Sequence, residues 1–382
     1  MNNATTDRND PLEEPLERAV RPRHVSAGVA ARMEEALSER ACQEQRERRE
    51  RIEKAEEIQR GARERIVELF GAEHYAQWRQ FASEKRRERS RPRTPVADSE
   101  ALEEERDGQI AAARTEGAGM LREWGVSAED VVALAAEAGD GIMSVLRPTV
   151  AVADEELVIR PGRFATLSHD DDAGLVINVA TPPYGNQGGS SSFPSGGPFE
   201  VSVTPQADAM TGVIGQGVRV ENYDAGDADF ITAIDHRFVR GGVIMPQSGQ
   251  LVLSIDLTVL RSGHRLKVVD EFGVSHCDSI QKNEIQVNVI GADGVVWEVR
   301  KQMMRWRKAT NQYLYRFFEQ FDDGTPFNAG FVSGRSYAES EFVLFEIGSR
   351  TTNEVLANDM EVDGKVTYRY RVDQVVTGVL HQ

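Results

Sequence analysis

The residues best equipped by type to do chemistry fall into four groups. His276-Cys277-Asp278 sets a base, a thiol and a carboxylate side by side. A thiolate needs a neighbouring base or a metal to become reactive. Adjacent side chains on an extended strand point to opposite faces, however, so His276 cannot readily activate Cys277 there. The expectation is a buried free cysteine beside surface polar groups.

Asp224, Asp227 and Asp229 place three carboxylates on the glycine-containing stretch YDAGDAD. Calcium takes oxygen ligands grouped on such a bend, which makes these the candidate calcium ligands. No distal bidentate glutamate completes the pattern, so a solvated turn is the competing reading. His169-Asp170-Asp171-Asp172 is a similar acidic turn. The same three aspartates, with Asp235 and Glu271, are the carboxylates from which a β-sandwich glycoside hydrolase or lyase would draw its acid and base. Nothing in the sequence pairs any two of them.

The fourth group is the stretch 295–321, VVWEVRKQMMRWRKATNQYLYRFFEQF. It interleaves aromatic residues with Arg300, Lys301, Arg305, Arg307, Lys308 and Arg316. Exposed tryptophan and tyrosine beside arginine can stack on sugars or bases. Trp297, Arg305, Trp306, Tyr313 and Tyr315 are therefore the candidate ligand-binding residues. Tyr184, in the long low-complexity segment 181–198 (TPPYGNQGGSSSFPSGGP), joins them as a surface-loop candidate. In the competing reading the aromatics fill a core and the basic residues face water.

Several common chemistries have no motif here: P-loop, GxGxxG after a strand, GxSxG, HExxH and CxxC are all missing. With 45 basic against 62 acidic residues the chain carries −17, which disfavours nucleic acid and anionic membranes as partners. No apolar run is long enough to span a bilayer, and the start lacks an export signal's pattern. With two cysteines in segments of opposite character, a reducing compartment and a cytoplasmic location are expected.

The elements that must position these residues divide the chain in two. Residues 1–28 carry three prolines and read as a disordered tail. Residues 29–94 form a charged Glu/Arg helix, in which Ile52, Ala55, Gln59, Ala62, Ile66 and Leu69 follow the 3-4 spacing of a short coiled-coil seam. A stripe of that kind must bury itself against another helix or another copy of the chain. Residues 95–143 form an acidic helical segment, with Ser127 and Asp130 as a capping box and Gly139 and Gly141 as stops.

From residue 144 to the end the pattern is short β-branched runs between Gly, Pro, Asp and Asn. Strands are expected at 156–159, 174–179, 199–203, 218–220, 251–260, 265–269, 285–290, 295–299, 342–347 and 366–372. Asp293-Gly294 and Asp363-Gly364 read as hairpin turns. In 295–321 both strand and helix periods fit, and the β context favours strand. The expected architecture is a charged helical stalk carrying a jelly-roll-like antiparallel β-sandwich. The function that follows is structural or binding: helices for self-association or docking, and a sandwich that engages a protein or a glycan. The enzyme reading is the alternative, and calcium is the only cofactor the residues suggest.

Overall fold

The computed structural model describes residues 27–90, 99–146, 177–222, 228–270, 272, 274–310, 314–320, 324–358 and 360–380. Four helices come first. Helix α1 (Ala27–Phe70) ends where the sequence supplies Gly71 at φ +76°, whose amide closes the last turn on the Val67 carbonyl at 2.8 Å. After α2 (Ala72–Ser90), helix α3 (Ser99–Trp124) ends the same way at Gly125, φ +69°. The Ser127 hydroxyl then accepts the Asp130 amide at 3.2 Å, the predicted cap, and opens α4 (Ala128–Leu146). The predicted stop at Gly139 and Gly141 is a correction, because α4 runs on to Leu146. Those glycines work by their bareness: a Cβ would lie 3.1 Å from Leu356 at Gly139 and 3.4 Å from Ile58 at Gly141.

Thirteen strands follow: β1 (Ile177–Ala180), β2 (Asn186–Ser192), β3 (Ser195–Gly196), β4 (Glu200–Asp208), β5 (Val213–Asn222), β6 (Asp229–Ile244), β7 (Gly249–Asp270), β8 (His276–Ile290), β9 (Val296–Thr310), β10 (Leu314–Gln320), β11 (Thr325–Tyr337), β12 (Phe342–Asn358) and β13 (Met360–Leu380). They make two antiparallel sheets, a β-sandwich. The first is ordered β10-β7-β13-β5-β4 and the second β2-β6-β12-β8-β9. Strands β10 and β11 lie end to end along β7, as β5 and β1 do along β13. From β5 to β8 each strand crosses to the opposite sheet, as do β12 and β13 at the end.

The Asp293-Gly294 turn forms as read, with Gly294 at φ +80° and its amide on the Gly291 carbonyl at 2.9 Å. Asp363-Gly364 does not turn. It sits inside β13, where Asp363 pairs across to Glu221 and Lys267 and accepts from Arg219 and Arg265. Bare Gly364 leaves space that the Asn353 amide uses, donating to the Gly364 carbonyl at 2.9 Å. Segment 181–198 is likewise more than a surface loop, since β2 and β3 add to the β6 edge from within it.

The sandwich interior is two apolar clusters with a polar belt between them. One holds Leu251, Ile255, Val287, Phe345 and Ile347, the other Val218, Ile231, Leu266, Cys277 and Val355. Between them Gln216, Gln281, Asn283, Ser349, Thr351 and Asn353 are buried. The Asn283 amide donates to the Ser349 and Thr351 hydroxyls at 3.0 and 2.9 Å, and Tyr370 Oη donates to Asn283 Oδ1 at 2.6 Å. Such bonds offset the cost of burying these groups.

The coiled-coil stalk expected of the helices is not what the described part of α1 forms. Ala55, Gln59, Ala62 and Ile66 are buried, but within the chain. Ala55 and Ala62 pack with Ala138, Ile142 and Leu146 of α4 and with Phe230 and Leu356 of the sandwich. The Gln59 amide donates to the Gly196 carbonyl at 2.8 Å, and Arg63 pairs with Asp229 at 2.6 Å. Farther along, Phe70, Trp78 and Phe81 enclose Phe272 from the β7–β8 connection, with Trp78 and Phe272 edge to face at 5.7 Å. Each such buried ring contributes roughly 1.5–3 kcal/mol. Among the described residues no helix is long and apolar enough to cross a membrane.

Candidate functional site

Strand β12 shows how the site is assembled. Its odd residues Phe345, Ile347, Val355 and Ala357 belong to the interior clusters, so Glu346, Arg350, Thr352 and Glu354 stand on the outer face of the second sheet. Pairing register extends each into a row across β6, β12, β8 and β9. Arg240, Glu346, Asn288 and Glu298 form one row, and Phe238, Gly348, Gln286 and Arg300 the next. His236, Arg350, Glu284 and Gln302 follow, then Ile234, Thr352, Lys282 and Arg305.

The rows are tied into a lattice. Arg240 donates to Glu346 at 2.8 Å, and the Asn288 amide donates to the other Glu346 oxygen at 2.8 Å. Gln286 donates to Glu298 at 3.1 Å, and Arg300 pairs with Glu298 at 2.6 Å. Arg240 also lies over the Phe238 ring, 4.3 Å from its centroid. Side-chain exposure of Arg240, Glu346, Arg300 and Glu298 is only 14, 4, 9 and 8%. Neighbours hold these groups in one arrangement.

His236 lies inside this lattice, over Gly348, where a Cβ would fall on its Nε2. Burial, reinforced by Arg350, Arg300, Arg240 and Arg237, pushes the imidazole down to about 3. It is a neutral ring among cations. Its Nε2 has no hydrogen-bond partner among the described residues.

The structure scatters the residues singled out from sequence. Arg305 is exposed on the lattice face. Trp297 and Trp306 are half-buried on the opposite side of the same strand, one against each interior cluster, and Trp306 stacks on His264 at 5.0 Å. Both can face inward because β9 carries a bulge between Gln302 and Met304, which reverses the alternation midway. Tyr184 corrects the surface-loop reading: it is 6% exposed and donates to the Val372 carbonyl at 3.2 Å. Tyr315 lies on β10 opposite Lys267, and Tyr313 lies outside the described residues.

The other candidates are committed elsewhere. Asp229 is held by Arg63 and Gln59, and Asp235 by Arg237 at 2.7 Å and Ser191 at 2.5 Å. Asp224, Asp227, Glu271 and the acidic turn at 169–172 fall outside the described residues. Among those described, no three His, Cys, Asp or Glu side chains are grouped to hold a metal ion. Cys277 points inward and burial pushes its thiol up, while Asp278 points outward to Arg307 at 2.6 Å. The two are separated as strand alternation requires.

No protein-family model matches the chain, and no curated protein does. Among solved structures it is similar to TmCBM61, described in complex with β-1,4-galactotriose, at 9% identity and TM-score 0.15, covering 43% of this chain and 87% of that one. It is also similar to the enzymatically active domain of bacteriophage CBA120 tailspike protein 4, at 6% identity and TM-score 0.15, covering 46% and 19%. A third is the C-terminal family 22 carbohydrate-binding module of Clostridium thermocellum Xyn10B, at 8% identity and TM-score 0.14, covering 47% and 86%. Likenesses at these scores carry no argument about ligand or activity.

Proposed function

We propose that this is a non-catalytic binding protein whose sandwich, read as a jelly roll from its strand order, engages a glycan on the outer face of the β2-β6-β12-β8-β9 sheet. The observation that carries the reading is the lattice of Arg240, Glu346, Asn288, Gln286, Glu298 and Arg300. Sugar hydroxyls both donate and accept, and guanidinium, carboxylate and amide groups recognise them in pairs. Strands about 4.8 Å apart repeat such groups at regular intervals. Because neighbours already fix the rotamers, little side-chain entropy is lost on binding. Arginine–glutamate pairs also keep the lattice near neutral, which suits a hydroxyl-rich ligand better than a polyanion.

The enzyme alternative is not favoured, since the described candidate carboxylates Asp229 and Asp235 are both engaged by arginine. In this reading the helices dock the protein to a second copy or a partner, using surface other than the occupied seam. Sedimentation of the full chain tests that part, and a strict monomer would remove self-association. A glycan array probed with the full chain, followed by titration of the strongest hit, tests the binding itself. The expected result is a hit whose affinity falls tenfold or more in Arg300→Ala and in Glu298→Gln. An array at background, or a hit indifferent to both substitutions, would refute the reading.

A further inference from the structure

A small cavity of about 30 Å³ lies beside the lattice, where the helical layer meets the sheet. Its lining includes Arg51 of α1, Lys282 of β8, Arg350, Thr352 and Glu354 of β12, and Thr232 of β6. Three cationic side chains from three separate elements converge there. Against them stand the Glu354 carboxylate and the C-terminal end of α4 at Leu146, the latter worth about half a negative charge. Glu284 also faces Lys282 at 3.5 Å. The balance on the lining remains positive.

A second, independent observation concerns the hydroxyls. Thr352 is 1% exposed and Thr232 5% exposed, and neither Oγ1 has a hydrogen-bond partner among the described residues. Leaving a buried hydroxyl so is unfavourable, and a bound acceptor would recover that cost. Both threonines stand on the outer face: Thr352 lies between Ile234 and Lys282 in register, and Thr232 is opposite Glu354. One water needs roughly 10–15 Å³ of such space, so the cavity admits two or three oxygens. That holds a carboxylate, or the leading oxygens of a tetrahedral sulfate or phosphate, and is too small for a sugar ring.

We propose that this cavity is an oxyanion site, taking a carboxylate, sulfate or phosphate group with Arg51, Lys282 and Arg350 as its cations and Thr232 and Thr352 as its hydroxyl donors. The arrangement follows from the fold. Arg51 of α1 meets Lys282 and Arg350 of the sheet at a lining that also holds both threonines. Because the site spans α1 and the sheet, occupancy also ties the helical layer to the sandwich. The site stands apart from the glycan reading, and each can fail without the other.

The test is titration of the full chain at low ionic strength with sodium phosphate, sodium sulfate and sodium acetate separately, followed by heat of binding and by melting temperature. Sodium chloride at matched ionic strength is the control. Saturable binding of at least one oxyanion is expected, with the order of the three identifying the head group. Affinity should fall about fivefold or more in Arg51→Ala and in Lys282→Ala, neither of which empties an apolar core. Thr352→Val, which keeps shape and charge but removes one donor, should weaken binding about threefold or more. Responses no greater than chloride, or binding that all three variants retain, would overturn the proposal. Glycan binding on the lattice is scored separately with Arg300→Ala.

Discussion

The two faces of strand β12 make an instructive comparison. Both are buried, and neither is buried in the usual way. On the inner face apolar residues at either end flank Ser349, Thr351 and Asn353, which bond to Asn283, Gln216 and the backbone. On the outer face Glu346 joins the charged lattice, and Arg350, Thr352 and Glu354 line the cavity beside it. The inner belt contains amides and hydroxyls that fold-stabilising bonds consume. The outer lattice contains charges aligned in rows, with a cavity at its margin. Burial of polar groups is thus structural on one side of the sheet, and on the other it is where we propose recognition.

Breaking the inner side should have the largest effect. Asp235 is fully buried beside Arg237, so Asp235→Ala strands a cation and should cost about 3–5 kcal/mol in chemical denaturation. Substituting an outer-face partner such as Glu298→Gln should cost clearly less. Equal losses would erase the distinction. Next comes the helical layer: Phe272→Ala removes the ring that Trp78 and Phe81 enclose, at about 3 kcal/mol. Limited proteolysis should then release the helices before the sandwich is cut.

Asn283→Ala should cost about 2 kcal/mol, since it leaves the Tyr370 hydroxyl without its acceptor. Acid acts on the outer face through His236. Its folded pKa of about 3 lies below the unfolded value near 6.5, so in that window the unfolded chain binds the extra proton. Stability is therefore full above pH 6.5 and falls as the pH drops towards 3, by at most about 1.4 kcal/mol per unit. His236→Gln should flatten that slope in pH-dependent melting, whereas an unchanged slope would place the acid sensitivity elsewhere. The smallest effect belongs to the exposed Arg65–Glu137 pair on the helical layer, 2.9 Å apart. Arg65→Ala should leave the melting temperature within experimental error.

How much of this was legible depended on whether polarity alternated. The end of β12 was not. The apolar pattern supports a strand through Ile347, but the strand continues to Asn358 through GSRTTNE, because both of its faces meet polar partners. Strand β6 is obscured for a similar reason, as its Asp235, His236 and Arg237 disguise a central strand. The lattice was hidden too: Arg240, Glu298 and Glu346 are far apart in sequence, and only strand register aligns them. The misplaced turn at Asp363-Gly364 shows that a local turn preference yields to pairing on both sides of a strand.

The sequence by itself determined the division into helices and sandwich, the Ser127 cap, the Asp293-Gly294 turn and the inward Cys277. Each of these rests on interactions within a few residues or on simple alternation. Tertiary structure decided the rest. It took an apparent self-association seam and closed it against α4 and the sheet, because an apolar stripe is satisfied by whatever complementary surface the fold brings to it. It also gathered Arg51, Thr232, Lys282, Arg350 and Thr352 around one cavity, since register and helix docking, not spacing along the chain, set which charges become neighbours.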